Sequence, residues 1–323
     1  MKRKGRGMFV LTCVLVFVIS FAGSVAFKMK HQPVWTKAFR VDWSDKVGTV
    51  YEDLSYGPKE ANKYDLYVPA DTGRPAYGLV VYLHAGGFTA GDKAGDKEML
   101  EWLCSLGYVA AGVNYTLFGE KNPQASVYSQ SLEIKESVPA IVDEAKRLGY
   151  PIDGMAIGGG SAGGTLAMLY AYRDAKTSPV PVKLLFEAVG PASFDPKSWD
   201  TYGLDQSPEA AAGLFSAMAG QTITPEMIED GSYVEAMKPI WASMWVDKDT
   251  VPSVIAYGAH DKVCPFKTAK PLVDALRAND VPVEYFEMPH SGHGLQNDSA
   301  LYRKYMEAIR DNLARYLPVS ERK

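Results

Sequence analysis

GGGSAGG, residues 158–164, lies between the apolar runs Met155-Ala156-Ile157 and Leu166-Ala167-Met168-Leu169. Five glycines surround one serine. Glycine loses more conformational freedom on folding than any other residue, so such a cluster needs a geometric reason or is a flexible loop. Gly159-x-Ser161-x-Gly163, between an expected strand and an expected helix, has the pattern of a sharp turn that lifts a serine hydroxyl off a sheet end. In that turn the serine takes a strained backbone conformation. Strand and helix then approach so closely that a side chain two positions away on either side would clash. A phosphate-cradling loop is the competing reading. It would want a GK[ST] ending, which is absent here.

Working outward, short apolar runs alternate with helix-like stretches. Tyr64 to Pro69 alternates in period two, and Gly78 to His84 is continuously apolar, as in a strand buried on both faces. Asp96 to Leu106 reads as a helix and Tyr108 to Tyr115 as a strand. Ser129 to Leu148 reads as a helix that Pro139 is expected to kink or restart. After the strand ending at Gly159, Ala162 to Ala175 is helical. Val182 to Gly190 and Val251 to Gly258 are strands, Lys267 to Ala278 a helix, Val283 to Met288 a last strand, and Ala300 to Tyr316 a closing helix. This alternation predicts an α/β fold, a mostly parallel sheet flanked by helices. Asp195 to Thr250 breaks the rhythm. It contains Trp199, Trp241 and Trp245 and no convincing strand, and it sits where a cap or lid insertion over about residues 195–250 would sit. Tryptophans there could line a pocket, although buried packing is their commoner use.

The chain has 323 residues, 47% of them hydrophobic and 22% charged, with a net charge of −4. It can bury a large core, and no basic stripe supports nucleic-acid binding. Cys13, Cys104 and Cys264 have no metal-ligand spacing, although Cys104 and Cys264 could pair. The first thirty residues stand apart. Lys2, Arg3, Lys4 and Arg6 precede an uncharged stretch, residues 8–27, that ends in Ser24-Val25-Ala26. This reads as a signal peptide or an N-terminal membrane anchor, with the remainder exported. Residues 31–59 are then an extension, and 60–318 one domain.

A serine is a poor nucleophile until a base takes its proton. Of five histidines, His31 lies beside the apolar segment, His84 lies in His84-Ala85-Gly86-Gly87-Phe88, and His260 abuts Asp261. His290 and His293 follow the last expected strand. His293 is favoured as base because Gly294 leaves room for the loop to fold back, with His290 as the runner-up. The third member must orient the imidazole and stabilise its charged form. Asp261, just past a buried strand, fits this, with Asp195 as the alternative. Preorganised amides at Gly86, Gly87 and Ala162 could form an oxyanion hole, and His84 would brace that loop. No cofactor and no metal pattern is implied.

With these segments in order, the chain resembles the α/β-hydrolases, within them the esterases and lipases related to hormone-sensitive lipase. HAGGF is similar to that group's HGGGF/W, GGGSAGG to its GDSAGG or GGSAGG, and Asn114 to Ala125 to its NYRLAPE-x-x-x-PA segment. YGAHDKVCP and HSGHG are similar to its acid and histidine motifs. Ala85, Gly160, Thr116 and Leu295 depart from the pattern without removing a reactive group. The resemblance implies an α/β-hydrolase fold with Ser161 as nucleophile, His293 as base and Asp261 as orienting acid. It also implies an oxyanion hole at Gly86, Gly87 and Ala162. The expected activity is hydrolysis of small-molecule or carbohydrate esters. A prolyl-oligopeptidase-type peptidase and an inactive hydrolase-like binding protein are the rivals.

Overall fold

The computed structural model describes residues 39–320. The chain divides between Arg40 and Val41, and every element below belongs to the unit that starts at Val41. The apolar segment at residues 8–27 lies outside the described residues. Among those described, no helix is long and apolar enough to cross a membrane.

Eight strands form one sheet: β1 (Gly48–Ser55), β2 (Lys63–Pro69), β3 (Tyr77–Leu83), β4 (Val109–Val113), β5 (Ile152–Gly160), β6 (Val182–Ala188), β7 (Ser253–Gly258) and β8 (Val283–Met288). Their order is β1-β2-β4-β3-β5-β6-β7-β8. β1 and β2 enter antiparallel, and all pairs from β4 onward are parallel. Parallel strands need both faces covered, which is why β3, β4 and β7 read as unbroken apolar runs. Leu79, Val80, Val81 and Leu83 are fully buried, each contributing roughly 1.5–3 kcal/mol of burial free energy.

Among the described residues eight α-helices surround or cap the sheet: α1 (Lys97–Ser105), α2 (Val127–Arg147), α3 (Ala162–Leu169), α4 (Pro208–Ala219), α5 (Pro225–Asp230), α6 (Tyr233–Met237), α7 (Ala269–Ala278) and α8 (Ser299–Tyr316). α3 packs on β3, β5 and β6, and α8 on β6, β7 and β8. α2 starts two residues before the expected Ser129. Ser126 and Ser129 close a reciprocal capping box that satisfies the first-turn amides. Pro139 sits inside α2, which runs as one element through it. α3 ends at Leu169 and passes into a π turn, Tyr170–Asp174, before a 3₁₀ turn.

The expected extension over residues 31–59 is corrected at β1, which makes the sheet begin at Gly48. β1 is an edge strand with exposed Glu52 and Asp53 and a register shift between Tyr51 and Leu54. Asp53 takes a left-handed φ of 56°. That bulge breaks the period-two signal, so the strand is invisible to a pattern reading.

Between β6 and β7 lie only helices and turns, as expected of a cap. Ser207-Pro208 and Thr224-Pro225 start α4 and α5, each with its hydroxyl accepting a first-turn amide, and Gly220 and Gly231 end them in left-handed conformation. Proline at the first helical position and glycine past the last are the expected asymmetry. Cys104 and Cys264 are buried and unpaired.

Candidate active site

The parallel strands β3, β5, β7 and β8 deliver their carboxyl ends to one rim, and each candidate residue stands just beyond one of them. Ser161 follows β5 and precedes α3 with φ 52° and ψ −119°. Such a non-glycine conformation costs on the order of 1–3 kcal/mol, so its surroundings must hold it. They do so through Ser161 N–H, which donates to Ala188 O at 2.8 Å, and through the packing of the flanking glycines. A Cβ on Gly163 would stand 1.9 Å from Leu83 O, and one on Gly159 2.5 Å from Gly163 C. Gly158 faces the Phe186 ring, at 2.3 Å from its would-be Cβ. Gly160 alone has ordinary space, its nearest neighbour being Tyr82 Oη at 3.8 Å. Gly158, Gly159 and Gly163 are thus required by close approach, Gly164 is tight at 3.0 Å from Glu187 Oε2, and Gly160 is not constrained.

His293 and Asp261 reach the serine from two loops joined to each other. His260 N–H donates to Ser291 O (2.9 Å) and Ala259 N–H to Met288 O (3.0 Å). Gly258 is needed there because its Cβ would stand 2.4 Å from Gly292 O. His293 Nε2 lies 2.9 Å from Ser161 Oγ, and His293 Nδ1 lies 2.7 Å from Asp261 Oδ2. The other carboxylate oxygen, Oδ1, accepts from Val263 N–H (2.8 Å) and Cys264 N–H (2.9 Å), so the acid cannot rotate freely. A carboxylate oxygen only accepts, so Nδ1 carries the hydrogen and Nε2 presents its lone pair to the serine hydroxyl. The two alternatives are elsewhere. His290 is exposed and bonds Asp298 at 2.9 Å. Asp195 caps a 3₁₀ turn through Lys197 N–H.

Gly86, Gly87 and Phe88 have consecutive φ values of 139°, 59° and 67°, which turn the loop sharply after β3. Gly87 lines the same cavity as Ser161. Ala162 opens α3 and carries one of the amides that a helix start leaves without an intrahelical partner. His84 is buried, stacks on Tyr115 at 4.3 Å and 5°, and its Nδ1 lies 2.8 Å from Ala85 O. Burial lowers its pKa, partly offset by the Ala85 carbonyl, so the ring stays neutral at pH 7.

Two groups absent from the pattern reading hold this rim. Gln130 on α2 donates to both Phe88 O and Thr116 O at 2.9 Å, tying the glycine loop to the segment after β4. It is fully buried on the stripe shared with Ile134, Ser137 and Ile141, and a polar residue on a buried stripe is the signal that could have found it. Glu187, at the end of β6, is fully buried beneath the turn. Its Oε2 accepts from Gly190 N–H at 2.9 Å. Desolvation pushes its pKa up to about 8, against smaller opposing contributions from Gly190 and Tyr257.

A cavity of about 350 Å³ opens beside Ser161. Phe88, Trp199, Leu214 and Met218 are among its apolar lining. Phe118, Tyr202 and Val263 rim it and are themselves exposed. Of the three cap tryptophans, Trp199 lines the cavity. Trp241 packs near Phe194 and Tyr233, and Trp245 donates to Lys238 O. The arrangement offers a hydroxyl with a base, a charge-stabilising partner for the base, and a dry wall. Among the described residues no cluster of histidine, cysteine and carboxylate side chains could hold a metal ion.

The family described as BD-FAE matches residues 64–276. "Probable carboxylic ester hydrolase LipM" of Mycobacterium tuberculosis is 24% identical over 249 residues, covering 75% of this chain and 55% of that protein. Dipeptidyl aminopeptidase BIII of Pseudoxanthomonas mexicana is 28% identical over 222 residues, covering 67% of this chain and 30% of that one. The chain therefore spans about half, or less, of these two relatives. Inhibited esterase B of Lactobacillus rhamnosis superposes with a TM-score of 0.64 at 20% identity, over 94% of this chain and 96% of that chain. The fold is that of the α/β-hydrolases, a mostly parallel sheet flanked by helices.

Proposed function

The chain belongs to the BD-FAE family, and from that premise we propose that it is a serine carboxylesterase acting on small-molecule or carbohydrate esters. One observation carries the reading. Ser161, His293 and Asp261 form a continuous hydrogen-bonded chain at the mouth of an apolar cavity. His293 Nε2 takes the Ser161 proton as Oγ attacks the ester carbonyl, and Asp261 holds the ring in the required tautomer. The carbonyl oxygen becomes an oxyanion, which the amides of Gly86, Gly87 and Ala162 receive. One such donor is worth roughly 10²–10³ in rate. His293 then protonates the departing alcohol, and water releases the acid from Ser161 by the reverse sequence.

Hydrolysis of p-nitrophenyl acetate by the purified chain tests this. Wild type turns over, and Ser161→Ala lowers kcat by about 10⁴-fold or more. Equal rates for the two proteins would remove the proposal. A second reading, peptide-bond hydrolysis, draws on the aminopeptidase relative. Cleavage of dipeptidyl p-nitroanilides faster than of p-nitrophenyl esters would favour it. The basic start and apolar stretch of the sequence support an extracytoplasmic location, which fractionation of producing cells tests.

A further inference from the structure

One buried side chain reaches the glycine loop from a helix behind it. Gln130 on α2 is fully buried, and its Nε2 lies 2.9 Å from both Phe88 O and Thr116 O. Both partners are carbonyl oxygens, which only accept, so the NH2 end of the amide must face them. Its two hydrogens serve two segments, the loop after β3 and the segment after β4. The second of these is itself pinned to α2, where Glu133 Oε2 accepts Thr116 N–H at 2.8 Å. Gln130 Oε1 has no hydrogen-bond partner among the described residues. A buried acceptor in that state destabilises the fold. An apolar side chain of similar length would avoid this, so the two donors have a use of their own.

That use lies in the peptide planes of the loop. A trans peptide is planar, with its C=O and N–H pointing in opposite directions. Phe88 O and Thr89 N–H belong to one such plane. Gln130 Nε2 and Phe118 N–H (3.0 Å) hold its oxygen side, and Thr89 N–H donates to Gly86 O (3.1 Å) on the other. Gly86 O and Gly87 N–H belong to a second plane. Ala90 N–H also donates to Gly86 O (2.9 Å), so Gly87 N–H points away from that turn. Swinging the Phe88 carbonyl away from Gln130 would carry Thr89 N–H off Gly86 O and loosen the plane that bears Gly87 N–H. The φ of 67° at Phe88 is unfavourable for a residue with a side chain, so the loop does not keep this shape unaided.

We propose that Gln130 is a positioning residue for ester hydrolysis: its amide fixes the Phe88–Thr89 peptide plane and, through it, the direction of the Gly87 N–H that receives the oxyanion. The inference rests on the esterase reading. It adds to that reading a residue that does not line the cavity beside Ser161.

Steady-state hydrolysis of p-nitrophenyl acetate by Gln130→Met of the full chain tests it, because methionine keeps the reach of the side chain and removes both donors. A misdirected amide weakens the transition state and not substrate binding, so kcat is expected to fall about tenfold or more with KM nearly unchanged. Gln130→Leu, also free of donors, is expected to behave alike. A trifluoromethyl ketone, whose adduct with Ser161 carries the same oxyanion, is expected to bind more weakly by the factor that kcat/KM loses. Ser137→Ala is the control. It removes another buried polar group of α2, one bonded only to Ile134 O, and is expected to leave kcat and ketone binding unchanged. A Gln130→Met protein as fast as an active wild type overturns the inference and leaves the esterase reading standing. So does a loss carried by KM, or ketone binding that does not follow kcat/KM. Failure of both donor-free variants to fold also overturns it, because Gln130 would then serve the fold alone. A wild type that hydrolyses no ester removes the esterase reading, and this inference with it.

Discussion

The turn at Ser161 and the cap above it answer opposite demands. At Gly163 an added Cβ would stand 1.9 Å from a backbone oxygen, whereas at Gly213, on the exposed side of α4, it would meet nothing within 4 Å. One region has no slack and the other has space to spare. The difference teaches where each kind of work is done. Reacting atoms are placed by strand ends and close-packed glycines that admit one arrangement. Part of the cavity wall beside Ser161, at Leu214, Ala217 and Met218, comes from the short capped helix α4, whose outer face has room for side chains to change.

The largest expected effect falls on the rigid side. Asp261→Asn keeps the shape but favours the wrong imidazole tautomer, and kcat for an ester substrate drops by about 10⁴-fold. A loss below tenfold would mean that the acid is not coupled to the reaction. Next, Gly163→Ala forces a clash with Leu83 O, and chemical denaturation shows a loss of about 3 kcal/mol or no folded protein.

Glu187 gives a pH test of the packing beneath the turn. Its pKa is raised in the fold from 4.5 to about 8. Between those values the unfolded chain has released a proton that the native chain still holds, so stability falls as pH rises. The slope is on the order of 1 kcal/mol per pH unit and levels off above about pH 8. Glu187→Gln removes this component, so unfolding free energies measured from pH 5 to 8 are flatter than in wild type. An unchanged slope would show that Glu187 ionises normally.

On the cap, Leu214→Ala widens the apolar cavity and moves the preference in a p-nitrophenyl ester series toward longer acyl chains by about tenfold, with acetate hydrolysis little changed. Smallest of all, Gly213→Ala stabilises α4 by about 0.5–1 kcal/mol because alanine has the higher helix propensity. If it destabilised as much as Gly163→Ala, the contrast between the regions would be lost.

The same contrast decides what the sequence makes legible. The alternation of β3 to β8 with helices is readable because strands covered on both faces must be apolar throughout. The glycines at 159 and 163 are readable because sterics leave no other residue. His293 rather than His290 stands at Ser161, as the room left by Gly294 suggests. What escaped is set by context rather than pattern. β1 carries a bulge and faces solvent at Glu52 and Asp53, so its period is broken. Gln130 and Glu187 act through burial between elements far apart in the chain, which no local spacing records. The cap's boundaries could be placed only by the absence of strand character, because its helices are short and its aromatic packing is tertiary.

In the proposed reaction Ser161 is made nucleophilic by His293 and Asp261. Intact-mass measurement after fluorophosphonate treatment, followed by peptide mapping, tests it most directly. One adduct per chain is expected, located at Ser161, absent from Ser161→Ala, slowed by orders of magnitude in His293→Ala and unaffected in His290→Ala. No adduct on wild type, or an adduct on another residue that forms equally fast without His293, would contradict it.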